Sequence, residues 1–168
     1  MKSNTLFSIG AVVALLATGC ASQHLTLAPV GPEFNNSALA DINGKGYLKV
    51  FSDTESHFNG DTQPYYTHSG YEIFNGAGKR VQYVPNHIGD MDETPTPVRI
   101  DAGNYSVRAE SSSYGWVTVP VVIRPGQTTT LHLDHEWRPM AGVASNAIVH
   151  LPDGEAVGWS APLVKGAN

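Results

Sequence analysis

The sequence predicts an all-β, antiparallel domain, on three observations. The stretch from Thr96 to Asp134 divides into four runs of alternating or β-branched residues, each closed by a turn signal. Hydrophobic residues make up 41% of the chain and charged ones only 15%, with 17 Gly and 11 Pro, a balance that favours compact β structure over helix or disorder. No helical period of useful length follows the apolar N-terminal run, and no internal repeat is present. A length of 168 residues suits one domain with accessory segments.

In chain order, Met1-Lys2 is followed by an apolar run from Leu6 to Ala17 and then by Thr18-Gly19-Cys20. One positive charge and a run too short to span a bilayer fit a secretory signal better than a membrane helix. The ending Leu16-Ala17-Thr18-Gly19-Cys20 resembles the bacterial lipoprotein signal, although Ala17 stands where Leu is commoner. That resemblance implies cleavage before Cys20, a diacylglyceryl thioether on its sulfur and acylation of the new amino terminus. Cys20 is the only cysteine, so no internal disulfide competes for it. Several acyl chains hold a protein stably, because each buried methylene contributes ~0.8 kcal/mol. Ala21 rather than Asp after the cysteine points to the outer membrane of a bacterial cell envelope.

Residues 1–19 are thus a signal peptide and 20–45 a lipidated N-terminus and tether, with Leu39 and Ile42 able to dock on the domain. A β-sandwich domain over 46–134 opens with Tyr47 to Ser52, apolar on both faces as in a buried strand. Residues 53–69 form a long polar insertion with Asn59-Gly60 and Pro64. Tyr71 to Phe74 and Val81 to Val84 flank the glycine-rich connection Asn75 to Lys79, a hairpin signature. Residues 86–97 form an acidic loop stiffened by Pro95 and Pro97. Tyr105, Val107 and Ala109 share one strand face, and Val117, Val119, Val121 and Ile123 form a second core-facing row. Pro120 inside that run marks an edge strand or a bulge. Arg124-Pro125-Gly126-Gln127 has the chemistry of a type II turn before Leu131 and Leu133. A C-terminal extension, 135–168, carries a last hairpin, Ala147 to Leu151 and Ala156 to Trp159, around Pro152-Asp153-Gly154-Glu155.

The succession of a first strand, a hairpin, AGNYSVRAE, VTVPVVI, RPGQ and TTTLHLD resembles the carboxypeptidase regulatory-like domains. The resemblance runs through Gly103-Asn104-Tyr105, Val107, Ala109, Tyr114, the valine row, Gly126 and Thr128 to Leu133, over about residues 46–134. It implies a single prealbumin-like (transthyretin-like) antiparallel β-sandwich of about seven strands. Such modules are usually non-catalytic, so no active site is carried over.

Removing a segment that contains Lys2 leaves 9 basic against 15 acidic side chains, and no basic stripe for nucleic acid. His132, Asp134 and Glu136 share strand parity, a pattern weighed against metal ligation and read as a polar outer face. Asp90, Asp92 and Glu93, with Asp61, offer loop oxygens to calcium but lack EF-hand spacing. Glu55, Ser56, His57 and His68 supply hydrolase residue types without a nucleophile-elbow motif. No metal, cofactor or catalytic residue is therefore expected. Of the aromatic residues Tyr65, Tyr66, Tyr71, Trp116, Trp137 and Trp159, the adjacent Tyr65 and Tyr66 are the least easily explained as core. They are the candidate binding residues, for an envelope protein or a glycan.

Overall fold

The structure is a computed structural model that describes residues 27–33, 44–58, 60 and 63–164. Cys20 and the signal segment 1–19 lie outside the described residues, as do Leu39, Ile42 and Asp61. Twelve strands form three sheets, and the described residues contain no α-helix, only a 3-10 turn at Ser145–Ala147. The seven-stranded sheet has the order β11 (Ile148–His150), β12 (Ala156–Ser160), β1 (Val30–Gly31), β9 (Gly115–Ile123), β8 (Gly103–Ser111), β5 (Tyr71–Asn75), β6 (Arg80–Val84). A three-stranded sheet runs β10 (Thr128–His132), β2 (Lys45–Phe51), β7 (Val98–Asp101), and β3 (Thr54–Phe58) pairs with β4 (Pro64–His68) alone.

Alternation is what makes the two larger sheets a sandwich. Ile73, Val107, Ala109, Val119 and Val121 of the large sheet are fully buried in one cluster with Leu48, Val50 and Leu131 of the small one. Each Val, Leu or Ile side chain among them contributes about 1.5–3 kcal/mol by leaving water. The valine row and the Tyr105 face are as the period of two requires, and β8 and β9 stay in register from Gly103↔Ile123 to Ser111↔Gly115. The expected hairpin at Asn75 to Lys79 is also present, with Gly78 at φ 74°. In β2 the burial alternates instead of being two-sided, because β2 lies in the small sheet, and the large sheet packs on only one face of it.

Four features differ from the sequence reading. Val30–Gly31, inside the expected tether, form β1, which pairs with both β12 and β9 and lies in mid-sheet. A two-residue strand carries no periodicity, so its sequence gives no signal. The C-terminal hairpin β11–β12 is likewise an integral part of the large sheet, so the sheet runs past both expected boundaries, 46 and 134. The pairing is mixed as well: β10 lies parallel to β2. The Arg124–Gln127 turn, with Gly126 at φ 67° and Gln127 N–H donating to Arg124 O at 3.2 Å, therefore carries the chain from one sheet to the other. Finally, Pro120 sits in neither an edge strand nor a bulge. β9 pairs with β8 through Ser106↔Pro120, and β1 pairs on its other side only at Val121, so one missing N–H is tolerated there.

Candidate functional site

The 53–69 segment is a β-hairpin, not the loop insertion expected from its polarity. Its strands bury no apolar row, which hides them from a periodicity test. Thr67 and His68 at its base are buried, whereas Phe58 near its tip is exposed. Pro64 opens β4, where a missing N–H costs least. Backbone bonds fasten the base to the sandwich: Ser69 N–H to Asp53 O at 2.7 Å and Asp53 N–H to Glu110 O at 2.9 Å.

Three segments far apart in sequence converge at this end. Tyr66 N–H donates to the Glu93 carboxylate at 2.9 Å, joining the hairpin to the 86–97 loop. Ser112 N–H donates to Leu133 O at 2.9 Å, which brings the exit of β10 to the same end. Between them lies a cleft of about 440 Å³, lined by Phe51, Thr54, Tyr66, His68, Glu93, Asp134 and Glu136.

A buried polar network supports the cleft. Asn86, at φ 72°, donates from Nδ2 to Val50 O at 3.0 Å and Ser52 Oγ at 2.9 Å, and its Oδ1 accepts from Thr96 N–H at 3.2 Å. His68 Nδ1 lies 2.8 Å from Ser52 O. A carbonyl only accepts, so Nδ1 carries a proton, and in that tautomer Nε2 is an acceptor. Burial pushes the Asp134 carboxyl up, partly offset by the backbone N–H of Glu136. Beside the cleft, the His132 ring is stacked between Phe51 and Trp137, each at 4.8 Å between centroids, and Trp159 packs edge-on against Trp137. Burial, then the charge of Lys49, pulls the His132 pKa down to about 4.

The two candidate tyrosines part company. Adjacent residues of a strand point to opposite faces. Tyr66 lines the cleft; Tyr65 is not part of that lining and is paired in register with His57. His68 shares the strand parity of Tyr66 on β4, whereas Phe51, Thr54, Glu93, Asp134 and Glu136 join it only through the fold, for which no local sequence signal exists. His132, Asp134 and Glu136 do not form a ligand set, since the imidazole is held between two rings. Among the described residues no three His, Cys, Asp or Glu side chains are grouped to hold a metal ion. Of the loop acids, Asp92 accepts from Thr94 N–H and Glu93 from Tyr66 N–H. Ser56 alternates with Glu55 and His57 along β3, so those three residues do not share a face.

A second polar knot sits nearby. Glu155 is buried and accepts from Ser111, Ser113 and His135 N–H, tying the β8–β9 turn and the exit of β10 to the β11–β12 turn. Ser113 directs its hydroxyl to carboxylates, Asp153 at 2.7 Å among them, so the knot fastens turns together.

Compared with known proteins, the chain matches no family model, no curated protein and no solved structure.

Proposed function

We propose that the protein is a lipid-anchored, non-catalytic module of the bacterial cell envelope, held through Cys20 in the outer membrane, whose hairpin-bearing end captures a partner. The observation that carries the binding role is the cleft itself. It joins an exposed tyrosine, Tyr66, to three carboxylates from two other segments, over a floor fixed by buried hydrogen bonds. Binding groups on loops held by a rigid scaffold are the usual arrangement in β-sandwich modules. The prealbumin-like assignment draws support from the face-to-face sheets and from the β8–β9 pairing of YSVRAE with VTVPVVI. The anchor draws support from the Thr18-Gly19-Cys20 ending and the absence of other cysteines.

Two measurements test this reading. Radiolabelled fatty acid should enter the wild type and not Cys20→Ser, and equal labelling removes the anchor. In pull-downs from the cell's own membranes, Tyr66→Ala should lose the partner and Tyr65→Ala should keep it, both with unchanged melting. A Tyr66→Ala protein that recovers the partner as well as wild type would refute the cleft as the site.

Carbohydrate binding is a second reading, favoured by a different surface. On the outer face of the large sheet Trp116 is exposed, with Arg108 5.1 Å from its ring centroid, and Glu72 bridges Arg80 and Arg108. A flat aromatic platform with fixed polar neighbours suits sugar stacking. A glycan array with wild type and Trp116→Ala decides it, since a ligand lost by Trp116→Ala and kept by Tyr66→Ala supports this face.

A further inference from the structure

We propose that the cleft between β4, the 86–97 loop and the exit of β10 binds an organic cation, the ammonium or guanidinium group of a basic peptide or a polyamine. The inference rests on the reading of this cleft as a binding site and adds the chemistry of its ligand.

The first argument is the cleft's polar inventory. Glu93 uses one oxygen on Tyr66 N–H and keeps the other. Asp134 and Glu136 add carboxylates, and the threonine hydroxyl at position 54 serves either role. His68 is the second, independent observation. Its side chain is only 6% exposed, yet it lines the cleft, and with Nδ1 committed to Ser52 O its remaining nitrogen has no hydrogen-bond partner among the described residues. A surface made of acceptors is complemented by a ligand made of donors. A primary ammonium offers three N–H groups and a guanidinium five, without an acceptor to clash.

The walls add to this. Tyr66 presents an exposed aromatic ring to this space, and aromatic faces attract cations. Phe51 lines it too, but its ring faces are taken by the His132 ring and the Lys49 ammonium, each 4.8 Å from its centroid. A metal ion is the less fitting cation, because the carboxylates come from separate segments and are not grouped for coordination.

The field around the cleft points the same way. The segments that meet there, 53–69, 86–97 and 134–138, carry many carboxylates and a single Lys or Arg, Arg138. Its guanidinium donates to the carbonyls of His135 and Trp137. Lys49 of β2 adds a cation at the Phe51 wall, so the cleft is predominantly, not wholly, acidic. A predominantly acidic cleft concentrates cations and speeds their capture, an effect that salt screens.

The full chain in detergent micelles is titrated with a fluorescent hexalysine peptide, with spermine and with hexaglutamate, at low and high salt. Hexalysine should bind, weaken with salt and be displaced by spermine if the site takes free amines, or resist spermine if it requires a peptide. Hexaglutamate should not bind. Glu136→Gln and Asp134→Asn should each weaken hexalysine by about 3- to 10-fold, as loss of one partly desolvated charge pair implies. Tyr66→Ala should weaken it by about 3- to 5-fold through the lost ring face. Asp101→Asn, a carboxylate on β7 paired with Lys45, is the control and should leave binding unchanged. No binding of either cation, equal binding by the wild type and the three cleft variants, or, in a parallel calcium titration, calcium bound more tightly than both and lost in Glu136→Gln would each overturn the proposal. If Tyr66→Ala abolishes partner recovery while no cation binds, the cleft remains a site and only its assigned chemistry falls.

Discussion

Asn86 offers the sharpest test of how the cleft is held. Its side chain is buried, makes two close donations into the β2 segment and accepts one bond from the far end of its own loop, while its backbone sits at φ 72°. Asn86→Ala removes these three hydrogen bonds, at ~0.5–1.5 kcal/mol each, with a longer one to Ser69 O at 3.3 Å, and leaves dry partners behind, a loss of about 2–4 kcal/mol. Alanine also adopts the left-handed region with difficulty, which adds about 1–2 kcal/mol. Asn86→Gly loses the same bonds without that strain, although glycine gains freedom in the unfolded chain. It should therefore be about 0.5–1 kcal/mol less destabilised than Asn86→Ala. Against a domain stability of ~5–15 kcal/mol both variants still fold, so the ranking is measurable. Urea unfolding followed by tryptophan fluorescence gives the midpoints, and equal slopes keep the comparison valid. An Asn86→Ala protein within about 0.5 kcal/mol of wild type would refute the network. An Asn86→Gly protein less stable than Asn86→Ala would refute the strained backbone.

Two further tests address the core and the aromatic stack. Val119 is fully buried opposite Val107, so Val119→Asp should cost about 3–5 kcal/mol or more and abolish cooperative melting; unchanged melting would mean the inward row is wrongly assigned. His132 is kept neutral by burial, so between pH 6.5 and about 4 the unfolded chain takes up a proton that the folded chain refuses. Its contribution thus makes stability fall as pH drops through that window. Trp137→Ala uncovers one face of the ring and should raise the His132 pKa toward 6.5 in an NMR titration, and an unmoved pKa refutes the desolvation argument.

Strands with one dry face were legible because burial imposes a period of two, as in Val117 to Ile123 and Tyr105 to Ala109. Turns were legible where a glycine must take positive φ, at Gly78 and Gly126. What escaped had no such local cause. β3 and β4 are held by backbone pairing at a polar surface, so their side chains alternate between solvent and solvent over most of their length. β1 is too short to show a pattern, and its place is set by partners more than 85 residues away, Val121 and Ser160. The cleft was legible in fragments only. Tyr66, the acids near position 93 and the polar exit of β10 were each visible as residues, while their meeting depends on how β2, β4 and β10 stack in space.

The position of β1 has a mechanical consequence. The chain enters the fold at Leu27, which is buried, and within a few residues becomes the strand that splices the β11–β12 hairpin to β9. If Cys20, seven residues upstream, carries the proposed lipid, the span from it to Leu27 is at most about 25 Å. Drag from a membrane would then be delivered to a mid-sheet seam, not to a peripheral edge. Val30 resists it from both sides, paired to Ser160 and Val121 and packed in the core. If that seam opened, the β11–β12 hairpin would lose its connection to the rest of the sheet. It would then be held by the core packing of Val149, Leu151 and Val157 and by the Glu155 knot, which makes that buried carboxylate a second polar fastening of the seam.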